Sequence, residues 1–215
     1  MPSQASSSPR VARRRREQAS RIVRAAARRF AEQGPDQVRI EWIADDADVA
    51  RGTLYSHFPT KQSLLEAVIR PALEQELKAI RQLRRRPPLG ALRGLLESYL
   101  DLWQLHGDAL RVAHGPGRWT PSASVHPLHE ELFGEVGALL ARVHRSGILR
   151  GDDPGLATEV MARLAVPLLE LCDGRPLGAA LFVDLMQALL LKCDPPARPR
   201  PGGRARRSPR GGRRV

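Results

Sequence analysis

Residues 43–61 read IADDADVARGTLYSHFPTK, and this stretch decides the fold. Its apolar residues do not alternate as in a half-buried strand. They recur at helical spacing on either side of a break at Asp48, so the spacing predicts one short helix over about 40–47, a tight turn, and a second helix over 51–57. On a helical wheel Leu54 and Phe58 fall together and must face a core. Gly52 and Ser56 then point away, Thr53 and Tyr55 flank them, Arg51 opens the helix and His57 lies at its rim. Two short helices at a tight turn make a helix-turn-helix, whose second helix enters the DNA major groove. The residue types suit that use. Arginine bonds guanine bidentately, glycine permits close backbone approach, and Thr or Tyr hydroxyls reach phosphate or base edges. The same stretch holds Asp45, Asp46 and Asp48, which phosphates repel.

Working outward, the stretch EQASRIVRAAARRFAEQGPD (17–36) places Ile22, Ala26 and Phe30, and Val23, Ala27 and Ala31, four apart on one stripe, with Gly34-Pro35 closing the helix. Thr60 caps a long helix from Lys61 to about Arg84. Lys61 adds a positive charge beside its first amides, a phosphate clamp, and Pro71 is expected to kink the helix. RRRPPLG (84–90) marks off the remainder, where further helices are expected over about 88–106, 108–114, 127–146, 154–172 and 176–193. Pro127, Pro154 and Pro176 each suit a first helical turn, and Pro167 sits inside its pattern as a bend. No strand is expected. The fold class is all-α, with a three-helix N-terminal module and a C-terminal helical domain, about nine helices in all. The expected domains are a disordered basic arm over 1–16, the DNA-binding module over 17–70, an effector-binding and dimerisation domain over 71–194, and a disordered Arg/Pro/Gly-rich tail over 195–215.

The charge supports that division. The chain has 215 residues and a formal charge of +12. Residues 1–16 hold five arginines and no acid, and residues 198–215 hold eight arginines and no acid. With those 13 set aside, 22 basic residues stand against 23 acidic ones. Residues 17–70 hold eight of each sign, so the DNA-binding module is formally neutral. The arginine arm can supply non-specific attraction through counterion release or enter the adjacent minor groove, while the aspartates suppress indiscriminate binding. The alternative is that those acids are ordinary solvated surface.

No apolar leader region is visible, and stretches such as LAVPLLELC (164–172) are too short to span a bilayer. A cytoplasmic protein with no membrane contact is expected, with Cys172 and Cys193 as buried thiols rather than a disulfide. His126 and His129 have the spacing of paired metal ligands, but no Cys, Asp or third His completes a set at helical distance, and no metal and no cofactor are expected. With no Gly-rich phosphate loop, nucleophile elbow or Cys-x-x-Cys, no enzymatic activity is expected.

The segments RIVRAAARRFAEQG and IEWIADDADVARGTLYSHFPTKQSLLEAV together resemble the DNA-binding domain of the TetR family of bacterial transcriptional regulators. The resemblance covers about residues 17–70. It runs through Phe30, Gly34, Ile43-Ala44, Val49, Gly52-Thr53-Leu54-Tyr55, Phe58, Lys61 and Leu64-Leu65. Three positions depart from the family pattern: Asp48 stands where the turn glycine is common, and Ala50 and Arg39 replace helix-capping residues, each lost cap costing about 1 kcal/mol locally.

The resemblance implies a homodimer on a pseudo-palindromic double-stranded DNA operator, a repressor released by a small apolar or aromatic effector. Arg51, Gly52, Thr53, Tyr55, Ser56, His57 and Lys61 would carry the DNA contacts. Dimerisation would run through 154–172 and 176–193, where Leu181, Leu185, Ala188 and Leu189 make an apolar face. Tyr99, Trp103 and His106, on one face of the fifth helix, would border the effector pocket, and Trp119 would close it. Two rival readings remain: a regulator of this kind without a small-molecule effector, and a non-specific nucleoid-type DNA binder driven by the arginine tails.

Overall fold

The computed structural model describes residues 9–114 and 125–192, and over them the architecture is all-helical. In chain order the helices are α1 (Pro9–Gln33), α2 (Ile40–Asp46), α3 (Arg51–His57), α4 (Lys61–Gln82), α5 (Pro88–His114), α6 (His126–Arg145), α7 (Pro154–Cys172) and α8 (Gly178–Leu190), with a 3-10 turn Leu83–Arg85 after α4. The described residues thus hold eight α-helices rather than nine. The break expected near residue 107 is a kink inside α5, where His106 leaves helical geometry at φ −137°, ψ 26°. Helix hydrogen bonding resumes beyond it, so two expected helices are one bent one.

Two other expectations are corrected. Residues 9–16, expected as a disordered arm, are the first turns of α1. Their helical formers continue the register of the folded segment, although no residue before Ile22 is buried. Pro176 does not open the last helix. Leu177 takes a left-handed conformation at φ 60° and α8 starts at Gly178. A Cβ at residue 178 would lie 2.0 Å from the Cys172 carbonyl oxygen, so the close return of the chain onto the end of α7 requires glycine there. Trp119, Cys193, residues 1–8 and the 195–215 tail lie outside the described residues.

α4 is the organising element. It runs continuously through Pro71 and packs on α1, α5 and α6, so it belongs to the N-terminal module at its start and to the bundle at its end. Its N-terminus is held by a reciprocal capping box, with Ser63 N–H donating to Thr60 Oγ1 at 2.9 Å and Thr60 N–H to Ser63 Oγ at 3.2 Å. One apolar core extends from Ile22, Phe30, Ile43 and Leu54 through Leu64 and Leu73 to Leu95, Leu140, Phe182 and Met186. The chain after α6 is tied back to the end of α8 by Arg150 N–H donating to Leu190 O at 2.8 Å and Lys192 N–H to Ile148 O at 3.0 Å. Among the described residues no helix is long and apolar enough to cross a membrane. Cys172 is a buried free thiol.

Candidate nucleic-acid interface and the buried cluster behind it

α2 and α3 meet at a turn that depends on Asp48, which adopts φ 52°. Asp tolerates this left-handed region better than most residues because its short side chain bonds locally. Neither Arg39 before α2 nor Ala50 before α3 makes a side-chain cap. Orientation of α3 rests instead on Leu54, fully buried, and on Phe58, packed against the core. The opposite face is left to solvent: Arg51, Gly52, Tyr55 and Ser56 are exposed, and Thr53 and His57 are half-buried.

Gly52 has no internal explanation. It is helical, its φ is ordinary, and a Cβ there would meet nothing within 4 Å. Glycine inside a helix costs up to about 1 kcal/mol relative to alanine, so nothing within the chain offsets that loss. Arg51 is held by Glu41, its Nη2 2.6 Å from Glu41 Oε1, and its guanidinium lies 5.7 Å from the centroid of the Tyr55 ring. Glu41 was not singled out from the sequence; an acid at the start of α2 reads as a dipole-favoured surface residue, and only the fold brings it against α3. Ser56 Oγ donates to Thr53 O at 2.7 Å. Lys61 Nζ donates to the Asp36 carbonyl at 3.2 Å, which ties the start of α4 to the α1–α2 loop.

The three aspartates separate into different roles. Asp46 accepts two hydrogen bonds from Arg29 (Nε at 2.7 Å, Nη2 at 2.8 Å) and one from Arg28 at 3.1 Å. The hydrogen bond from Arg29 above all holds its carboxyl down at about 2. It is a strut between α2 and α1. Asp48 shapes the turn and has its Oδ2 3.7 Å from Arg21 while remaining 98% exposed. Asp45 alone is simply exposed.

The helical start of α1 carries the arginine-rich segment as a continuous extension of the module. Arg10, Arg14, Arg21, Arg24 and Arg28 share one side of α1 by their spacing. After burial, the charge of Arg15 is the second influence lowering the pKa of His57.

Behind the module, the residues expected to line one pocket diverge. Trp103 is buried with the Arg111 guanidinium 4.4 Å above its ring. His106 stands at the kink, its Nε2 sharing a hydrogen bond of 2.9 Å with Gln75 Oε1. Both border an open groove of about 630 Å³ between α1, Pro71 and α5. Tyr99 is buried elsewhere, beside Glu76 of α4. Burial first, then the charge of Glu76, pushes the Tyr99 hydroxyl well above its ordinary range. Glu76 is itself fully buried, and His114 Nε2 lies 3.5 Å from its Oε2. The sequence signal for it was available: Leu73, Glu76, Leu77 and Ile80 share one helical register, so an acid occupies a core position. His129, of the suspected ligand pair, is half-buried with its ring 6.4 Å from that of His114. Among the described residues no group of three or more His, Cys, Asp or Glu is placed to hold a metal ion.

Residues 22–68 match the family model described as bacterial regulatory proteins, tetR family. No curated protein matches the chain. Solved structures do. A bacterial regulatory protein of the tetR family from Rhodococcus RHA1 is similar at TM-score 0.65 and 20% identity, covering 82% of this chain and 98% of that one. The ketosteroid transcriptional regulator KstR2 of Mycobacterium tuberculosis is similar at TM-score 0.65 and 20% identity, covering 81% and 95%. AibR, in complex with isovaleryl coenzyme A and operator DNA, is similar at TM-score 0.65 and 19% identity, covering 80% and 97%. At these identities the structures speak to fold, and the family model speaks to the module that contains α2 and α3. Residues 22–68 thus match the model of the tetR family of bacterial regulatory proteins, and the all-helical fold around them is similar to that of solved tetR-family regulators.

Proposed function

We propose that this protein is a cytoplasmic transcriptional repressor that binds a pseudo-palindromic operator as a homodimer and is released by a small apolar or aromatic effector. The observation that carries the reading is the bare outer face of α3, where a glycine with open space above it stands between an exposed arginine and an exposed tyrosine. In this reading Arg51 leaves Glu41 to bond a base, Gly52 lets the helix backbone approach the groove, and Thr53, Tyr55, Ser56, His57 and Lys61 meet phosphates or base edges.

Dimerisation is supported by apolar side chains that a solitary chain would leave in water. On α8, Leu181, Leu185 and Leu189 are 44%, 38% and 43% exposed, and on α7 Leu164 and Leu171 are 38% and 62% exposed. Two such faces brought together by a two-fold axis form a four-helix bundle and set the spacing of two α3 helices for successive major grooves. AibR, similar in fold, binds both isovaleryl coenzyme A and operator DNA, which supports a reading with both a small-molecule and a DNA partner. An effector bound in the bundle would act through α4, favouring a shape in which the two α3 helices no longer match the grooves. Sequence selection from random duplexes, followed by competition against bulk DNA, tests this. A two-fold symmetric motif supports the operator reading, and a specificity ratio near one would favour the nucleoid-type binder instead.

A further inference from the structure

Glu76 is the feature of the bundle that folding alone leaves unresolved. It is fully buried, and neither of its carboxylate oxygens accepts a hydrogen bond. The His114 Nε2 that faces it at 3.5 Å is likewise buried without a hydrogen-bond partner. Tyr99, 3% exposed, borders the same carboxylate, with its neutral hydroxyl within reach of it. Burying a carboxylate without donors is strongly unfavourable, and a leucine in the register of Leu73, Leu77 and Ile80 would pack there at no such cost.

We propose that Glu76 is the anchor for the cationic head of the effector, an aromatic or apolar molecule bearing a protonated amine or an amidine. This rests on the ligand-responsive reading above and narrows its ligand class. An ammonium or amidinium supplies what the site lacks: positive charge and at least two N–H donors for the two carboxylate oxygens. Tyr99 and His114 flank the head. Towards the surface, His129 and the Phe133 ring stacked on it at 5.9 Å, itself 38% exposed, offer aromatic faces to the rest of the ligand. Glu76 also lies on α4, the helix that begins at Lys61 shortly after α3 and runs through Pro71, so a bound head and α3 are linked through one helix.

Calorimetry on the full chain without DNA, at about pH 7.5, tests the assignment with matched probes: phenethylamine, benzamidine and hexylamine against 2-phenylethanol, phenylacetate and hexanoate. The expected result is binding of the cationic probes at least about tenfold tighter than their neutral or anionic counterparts. Glu76→Gln should lose at least about tenfold in that affinity while its melting temperature stays level or rises, since it removes a buried carboxyl group that accepts no hydrogen bond in the free protein. Equal or tighter binding of the carboxylates, no binding by either set, or undiminished amine affinity in Glu76→Gln would overturn the proposal. So would a fall in melting temperature shared by Glu76→Gln and His114→Asn, which would make the pair an internal ion pair instead. Because DNA is absent, amine binding without operator selectivity would count only against the regulator reading, and selectivity without amine preference only against this one.

Discussion

Asp46 and Glu76 are two carboxylates on helices of the same chain, and they are treated in opposite ways. In the N-terminal module Asp46 is partly exposed and receives three hydrogen bonds from Arg28 and Arg29. In the bundle Glu76 is wholly buried and receives none. The same contrast holds for the surfaces. The module turns polar and charged side chains of α3 outward and keeps Leu54 inside, whereas the bundle leaves leucines of α7 and α8 in solvent. A satisfied group explains itself within the fold. An unsatisfied one, whether a buried charge, an exposed apolar face or a glycine with empty space above it, marks where a partner belongs.

The largest effect expected from breaking this contrast is on assembly. Leu185→Glu places a charge in the centre of the exposed apolar face of α8 and should convert dimers to monomers. Operator affinity should then fall by about 100-fold or more, since each half-site alone supplies only part of the binding energy. Sedimentation measures the first and a binding titration the second. A variant that remains dimeric would move the interface elsewhere.

Next in size is the seam of the module. Asp46→Asn should destabilise the fold by about 1–2 kcal/mol, because it removes a charged acceptor from a partly buried arginine. Chemical unfolding of the two proteins checks it, and the sign should be opposite to that of Glu76→Gln. The same pair of proteins gives a pH signature. The Asp46 pKa is depressed from its ordinary 3.8 to about 2, so its contribution is fully present above about pH 4 and is lost as pH falls through about 2. The stability gap between wild type and Asp46→Asn should therefore narrow over that interval and stay constant from about pH 5 to 7. A gap that widened on acidification would contradict the ion-pair account.

A smaller effect separates stability from function in one substitution. Gly52→Ala should stabilise the protein by up to about 1 kcal/mol, since the added methyl meets nothing and the helix gains propensity. It should at the same time weaken operator binding, because that methyl occupies the space through which the backbone approaches the groove. Unchanged affinity would remove Gly52 from the contact surface.

How far the sequence carried these conclusions depended on whether the deciding interaction was local. The helix-turn-helix, the Thr60 cap, the left-handed Asp48 and the missing caps at Arg39 and Ala50 are written in neighbouring residues, and all are present in the structure. The break in α5 was legible at His106-Gly107, although it became a kink rather than a new helix. The strut from Asp46 to Arg29 and the hold of Glu41 on Arg51 join residues distant in the chain, so no periodicity could announce them. Glu76 was visible as an acid in an apolar register. Its consequence required knowing that α5 brings Tyr99 and His114 to it. The apolar spacing of Leu181, Leu185 and Leu189 predicted a buried face, and the single chain leaves it exposed.

The central claim is that α3 reads sequence, and Arg51 tests it most directly. Sequence selection from random duplexes should return a two-fold symmetric motif for the wild-type chain. For Arg51→Ala it should return the same motif with preference relaxed at one symmetric pair of positions, at a cost of about 1–3 kcal/mol for each base that the arginine no longer bonds. A motif returned unchanged by Arg51→Ala, or no motif from the wild type, would contradict base readout by this helix.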